Sequence, residues 1–224
     1  MTSRSFARIT LIILTSIVYI TTLASNPLIF TDDFDTNILN WTECEDCGSG
    51  SAIINDGTLL LKSNGENKTA GALITVLCGV PTSIGENTFF ETHCYAPIDI
   101  TLPFEITANV IIDRLADERI CGFVFNYRDN GNFDCINLND KTINYTRFVN
   151  NYIVGNIMKG LKWPYTKNVK QDWRFIYNNG NITFYINDID VLNVKHMPID
   201  FSGIGFCVYG KQTLTVDNIT FNQY

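Results

Sequence analysis

Three carboxylates crowd the stretch "IFTDDFDTNILNWTE" at residues 29–43. Asp32 and Asp33 are adjacent, Asp35 follows one residue later, and Trp41 comes close behind. Such a group can work as acid and base, can hold a hard cation through its oxygens, or can cap a solvated turn. Just downstream, Cys44 and Cys47 form a CxxC. Redox or zinc chemistry there would want further ligands. No second CxxC exists and the chain has only two histidines, so a local disulfide between Cys44 and Cys47 is expected. His93 and His196 have no motif around them, and no Ser/His/Asp arrangement is evident. A lone histidine is more often structural or solvent-facing than catalytic.

These groups must be held by something. The chain of 224 residues is 46% hydrophobic and can bury a core as one domain. Residues 1–25 differ from the rest. Arg4 and Arg8 precede the apolar run "ITLIILTSIVYITTL", and the small residues Ala24 and Ser25 follow. That order is the order of a secretory signal peptide. The run is short for the ~20 residues of a membrane-spanning helix, so a membrane role requires this segment to be retained as an anchor. The expectation is a cleaved signal at 1–25, a domain over 26–224, and a protein that is secreted, extracellular or on a virion surface. Five Asn-x-Ser/Thr sequons, at Asn40, Asn67, Asn144, Asn181 and Asn218, suit a glycosylated surface. All seven cysteines follow the signal, and an oxidising compartment favours disulfides. Cys78 and Cys94 are a second expected pair, because they flank a stretch that can fold back on itself. Removal of Arg4 and Arg8 leaves 14 basic against 23 acidic residues, a net charge of −9. Such a surface repels phosphate backbones, which argues against nucleic acid as a partner.

Along the domain the dominant pattern is alternation. In "FEITANVIID", Phe104, Ile106, Ala108, Val110 and Ile112 share one parity, opposite Glu105, Thr107, Asn109, Ile111 and Asp113. That describes a strand with one apolar face. "CGFVFNYRDNGNFDCINLND" reads as two strands joined by a turn at "DNGN". A turn centred between Asn130 and Gly131 sets Tyr127 opposite Asp134, Phe125 opposite Ile136 and Phe123 opposite Leu138. Phe123, Phe125, Ile136 and Leu138 then share a face. Val124, Asn126, Arg128, Phe133, Cys135 and Asn137 look the other way, and Cys121 and Cys135 point to opposite faces. "WRFIYNNGNITFYIND" is a second hairpin, with Trp173, Phe175, Tyr177, Ile182, Phe184 and Ile186 on one face. "GTLLLKS", "GIGFCVYG" and "LTVDNITF" add further strands, and almost nothing reads as helix. The expected fold class is all-β, a sandwich of two antiparallel sheets.

In order, "FTDDFDTNILNW", "INDGTLLLKS", "GFVFNYRDNGNFDCINL", "WRFIYNNGNITFYINDIDVL" and "GIGFCVYGKQTLTVDNITF" resemble the concanavalin A-like lectin/glucanase superfamily. The likeness is greatest to the branch of family-16-type glucanases, laminin-G-like modules and keto-glycoside hydrolase-like domains. It covers nearly all of the chain after the signal. It implies a jelly-roll sandwich, and it leaves function open, because that fold hosts enzymes, lectins and adhesion modules. It also implies a structural calcium ion joining the first and last strands. By motif its ligands match Asp33, Gly57 and Asp217. The alternative for the acids is a water-facing turn. Glucanases of this fold carry their catalytic carboxyls as alternating acids, E-x-D-x-E, on one strand of the concave sheet. That pattern is absent here, which argues against hydrolysis by that mechanism.

What remains is a polar strand face. Glu105, Asn109, Asn126, Arg128 and Asn137 are the expected lining of a groove on the concave sheet, with Trp163 and Tyr165 from "LKWPYT" as aromatic platforms. Amides, a carboxylate and a guanidinium suit sugar hydroxyls. The plain alternative is a solvated sheet face with no ligand. The reading is a secreted, glycosylated, non-catalytic module that binds carbohydrate or a glycoconjugate. Its rivals are a glycoside hydrolase or lyase using Glu105, Asp113 or Asp134, and an adhesion domain that binds protein.

Overall fold

The computed structural model describes residues 28–45, 50–63, 90–116, 119–160, 165–195 and 197–224. All regular elements among them are strands. In chain order they are β1 (Leu28–Asp32), β2 (Gly50–Asn55), β3 (Thr58–Ser63), β4 (Phe90–Tyr95), β5 (Phe104–Ile112), β6 (Ile120–Asp129) and β7 (Asn132–Leu138). There follow β8 (Thr142–Val149), β9 (Tyr152–Gly160), β10 (Lys170–Asn178), β11 (Asn181–Ile186), β12 (Ile189–Val194), β13 (Gly203–Tyr209) and β14 (Gln212–Gln223). Eight form one antiparallel sheet, in the order β12-β11-β10-β5-β14-β3-β2 with β1 also on β14. Six form the other, in the order β4-β13-β6-β7-β8-β9. The inner faces of both sheets share one core, so the molecule is an all-β sandwich of antiparallel sheets.

Alternation builds that core as the pattern requires. On β5, Phe104, Ile106, Ala108, Val110 and Ile112 are buried and their neighbours are half-buried. The β10–β11 hairpin pairs Trp173 with Ile186, Phe175 with Phe184 and Tyr177 with Ile182. Its turn places Asn179 and Gly180 at positive φ, the conformation a tight two-residue hairpin needs. Phe123 and Phe125 of β6 reach across to Phe175 of the facing sheet, with ring centroids 5.3 and 4.8 Å away. Fully burying one such ring stabilises the fold by roughly 1.5–3 kcal/mol.

Two expectations are corrected here. β5 and β6 do not sit side by side: β5 lies in the eight-stranded sheet and β6 in the six-stranded one. The β6–β7 register is also two residues off the simple hairpin. Phe125 faces Asp134, Phe123 faces Ile136 and Cys121 faces Leu138, and pairing resumes only at Asp129 with Asn132. The cause is a bulge after Phe125, where Asn126 takes a positive φ of 52°. A shift of two keeps parity, so Phe123, Phe125, Ile136 and Leu138 still face the core. Cys121 points inward and Cys135 outward.

The opening acids are structural. Asp32 is completely buried. One of its oxygens accepts the Trp41 indole N–H and the other the Phe34 backbone N–H, each at 3.0 Å. Phe34 has a φ of 60°, costly for a bulky side chain, and this brace holds it against Trp41. Asp33 accepts the Asp35 N–H at 3.2 Å and so caps the turn.

Cys94 is a free thiol facing the core, so the expected Cys78–Cys94 bridge is not made. Cys121, Cys135 and Cys207 are also free and buried. The expected signal at 1–25 lies outside the described residues, as do Cys47, Asn67, Cys78, Trp163 and His196.

Candidate functional site

The register fixes which side chains face outward from the six-stranded sheet. One cross-strand row runs Glu91, Cys207, Gly122, Asn137, Asn144. The next runs His93, Gly205, Val124, Cys135, Thr146. The outward positions of β7 are thus Phe133, Cys135 and Asn137, none of them acidic. Glu91 lies in the first of these rows, and Asp129, the last residue of β6, stands at the end of the face. The centre of the face is closed. Val124, Tyr127, Phe133, Cys135, Phe148 and Cys207 form a second buried cluster there.

Open space lies at one end of this face. A cleft of about 610 Å³ is bounded by the end of β4, the β6–β7 turn and the β8–β9 turn. The two turns are tied together. Asn151 N–H donates to the Gly131 carbonyl at 2.9 Å, and Asn150 N–H to Asn132 Oδ1 at 3.1 Å. Within the first turn, Asp129 Oδ1 accepts Gly131 N–H at 2.9 Å and the Asn132 amide at 2.7 Å. Asn150 and Asn151 both sit at positive φ, which asparagine tolerates better than most residues. On the opposite wall stands an aromatic ladder. His93 stacks on Tyr127 at 4.0 Å, and Tyr95 meets the His93 ring edge-on at 6.4 Å. The Tyr95 ring is 60% exposed.

The charges of the cleft nearly cancel. Arg128 lies 3.7 Å from Asp129. Hydrogen bonds from Asn132 and Gly131 hold Asp129 below the usual carboxylate range. Burial pushes His93 down, so its ring is neutral at pH 7. Burial pushes the neighbouring Glu91 up to about 7, against a hydrogen bond from Tyr127 that favours the charged form. Tyr127 is held well above its ordinary range by burial and by Glu91, and it remains a donor. The Tyr127 hydroxyl also lies 2.5 Å from Asn130 Oδ1, so Asn130 and Glu91 share its one proton between the mouth of the cleft and the row behind.

The expected groove residues divide. Arg128 lines the cleft and Asn137 faces the same side of the sheet, though buried, with its amide 2.9 Å from Cys135 Sγ. Glu105 and Asn109 lie on the outer face of the other sheet. They are engaged there: Glu105 by Asn222 and Arg174, Asn109 by Asp172 and Asn218. They cannot meet Arg128, because consecutive strands went to different sheets. Asn126 is turned from the cleft by its bulge. Its oxygen accepts the N–H groups of Asp200 and Phe201, and its amide donates to Asp134. Asp134 is fully buried and accepts two bonds from Arg147, at 2.7 and 2.6 Å. Asp113 accepts the Thr213 N–H at 2.7 Å. Glu105, Asp113 and Asp134 are therefore three separate braces. Tyr165, expected as a platform, is half-buried with its hydroxyl on the Ile112 carbonyl. The residues missed by sequence reasoning are Glu91, His93, Tyr95 and the Asn150–Asn151 turn. The alternation in "FETHCY" and the Asn-Asn pair in "RFVNNYIVG" were the available signals.

Of the sequons, Asn40 and Asn181 are exposed and Asn218 is half-buried. Asn144 is 2% exposed in mid-strand and has no room for a glycan in this fold. The calcium expectation meets a mixed arrangement. At Gly57, a Cβ would lie 3.3 Å from Asp35 Oδ1 and 3.6 Å from the Asp33 carbonyl, so two oxygens converge on that turn. The Asp217 carboxylate, however, pairs with Lys170 at 2.5 Å. No trio of His, Cys, Asp or Glu side chains among the described residues is arranged to hold a metal. An ion there would draw on backbone oxygen and Asp35, with Asp217 released from Lys170.

No protein-family model and no curated protein sequence matches this chain. Solved structures do match in fold. A Bacillus licheniformis β-glucanase superposes with a TM-score of 0.55 at 12% identity, over 86% of this chain and 97% of the other. A Bacillus subtilis protein of galectin-like fold gives 0.56 at 12%, over 87% and 94%. A β-1,3-1,4-glucanase from a mouse hindgut metagenome gives 0.54 at 11%, over 86% and 98%. The architecture is the concanavalin A-like jelly roll.

Proposed function

We propose that this protein is a non-catalytic carbohydrate-recognition module whose ligand sits in the cleft between Tyr95 and the two asparagine-rich turns. The observation that carries the reading is the composition of that cleft. An exposed aromatic ring faces a preorganised set of amides, and the net charge of the walls is close to zero. A pyranose presents an apolar face for the ring and hydroxyls that need both donors and acceptors. Asn130, Asn132, Asn150 and Asn151 offer both. Asp129, the carboxylate that lines the cleft, is bonded into its own turn by the Gly131 N–H and the Asn132 amide and lies beside Arg128, which favours recognition over hydrolysis. Glucanases of the same fold give a precedent for sugar ligands.

A glycan array read with the wild type and with Tyr95→Ala tests this. The wild type binds a subset of glycans. The variant melts at the same temperature and binds at least tenfold more weakly, the loss of one stacking contact and its neighbouring hydrogen bonds at about 0.5–1.5 kcal/mol each. Undiminished binding by Tyr95→Ala removes the cleft as the site.

The module works outside the cell in this reading, with the 1–25 signal removed, a Cys44–Cys47 bridge, and calcium at the Gly57 turn as a structural ion. Calcium at a thousand times its dissociation constant would stabilise the fold by roughly 4 kcal/mol. Equal melting temperatures in calcium and in chelator would remove the ion from the account.

A further inference from the structure

We infer, resting on the carbohydrate reading above, that the module recognises the terminal residue of a glycan end-on rather than an internal stretch of chain. The outer face of the six-stranded sheet is the obvious bed for a long polysaccharide, since it spans six strands. It is closed in the middle. Val124, Cys135, Cys207 and Thr146 are fully buried, and Asn137 is 4% exposed. A chain of sugars has no continuous surface to lie along there. Open volume lies toward the strand ends: the cleft of about 610 Å³ and, beside it, a hollow of about 120 Å³ that includes Phe133, Arg147 and Phe148.

The wall of that cleft carries one buried polar atom without a protein partner, His93 Nδ1. Behind it on the same face, Glu91 Oε2, Asn144 Oδ1 and Thr146 Oγ1 are also unpartnered. All four residues belong to the two outward rows of the same face, and His93 also lines the cleft. A buried polar atom left unpaired is costly, so these atoms favour whatever hydroxyls or water reach them. Tyr127 spans the same path, with Asn130 at the mouth and Glu91 behind. A single sugar entering past Tyr95 would present hydroxyls to His93 and Tyr127 first, and the rest of its glycan would trail out between the turns. With tied turns on one side and a closed sheet on the other, a continuing chain would leave through the open mouth of the cleft rather than along the sheet.

The test is affinity against length and against end-blocking. The probes are mono-, di- and hexasaccharides of glucose, galactose, mannose and N-acetylglucosamine, plus the same oligosaccharides O-methylated on the non-reducing terminal residue, all measured by calorimetry. End-on recognition predicts that a mono- or disaccharide binds within about threefold of the hexasaccharide. It predicts that either terminal methylation or conversion of the reducing end to the alditol lowers affinity at least tenfold. Arg174→Ala, on the outer face of the other sheet, changes neither result. Affinity that climbs with every added residue and ignores both ends overturns the end-on geometry while leaving carbohydrate binding intact. Silence from every sugar overturns the carbohydrate reading and this inference with it.

Discussion

Replacing Glu91 with glutamine should flatten part of the pH dependence of stability. Glu91 is held at about 7, against an ordinary 4.5, because burial disfavours its charged form. In the unfolded chain it ionises near its ordinary value. Between the two values the folded protein binds the extra proton, so stability falls as pH rises from about 4.5 to about 7 and is level beyond. At 1.36 kcal/mol for each pKa unit the loss is at most about 3 kcal/mol. Glutamine has nearly the same shape and carries no charge at any pH. The variant should match the wild type at pH 4 and exceed it by up to about 3 kcal/mol at pH 8. Urea melts read this directly. With slopes of roughly 1–3 kcal/mol/M, the midpoint of Glu91→Gln should lie about 1 M or more above wild type at pH 8 and coincide with it at pH 4. Parallel profiles for the two proteins would refute the reasoning, as would a difference that grows toward acid.

Asp134→Asn should cost about 3–5 kcal/mol, because it strips the Arg147 guanidinium of a fully buried counter-charge. Hydrogen exchange should quicken across 197–202, which Arg147 holds through the Pro198 carbonyl; an unchanged melt would contradict the ion pair's role. Phe125→Ala should lose about 3–5 kcal/mol through the cavity it leaves, while Arg128→Ala, on the exposed turn, should melt like wild type. Paired denaturation curves decide, and reversed effects would mean the two faces of β6 are swapped. Peptide mapping of protein from a eukaryotic secretory host should find glycans at Asn40 and Asn181 and none at Asn144; a glycan on Asn144 in folded protein would break the β8 placement.

Much of the sandwich was legible because its strands alternate cleanly. β5 and the β10–β11 hairpin could be assigned face by face, and the "NNGN" turn fixed the hairpin register. Three features could not be read. Consecutive strands usually neighbour one another, yet β5 and β6 part into different sheets, and nothing local to "FEITANVIID" marks that crossing. The bulge at Asn126 follows from tertiary bonds to Asp200 and Phe201, some seventy residues away. Asp32 sits among acids that look solvated. Only the fold brings Trp41 over it, and so turns one carboxylate into a core brace while Asp33 remains a turn cap. The groove assembled on paper from Glu105, Asn109 and Arg128 failed at the crossing. Arg128 still lines the cleft because it stands next to the turn at the end of β6, although the bulge at Asn126 reversed the parity and put Tyr127 on the outward face. The Glu91, His93, Tyr95 series is equally local, and its alternation was present in "FETHCY".

The most direct measurement of the central claim is an NMR titration of the isotope-labelled protein with its best-binding sugar. The account predicts perturbations concentrated on Tyr95, Arg128 through Asn132, and Asn150 and Asn151, with the amides of Arg174 and Tyr185 unmoved. Shifts centred on Glu105, Asn109 and Arg174, across the sandwich, would contradict it.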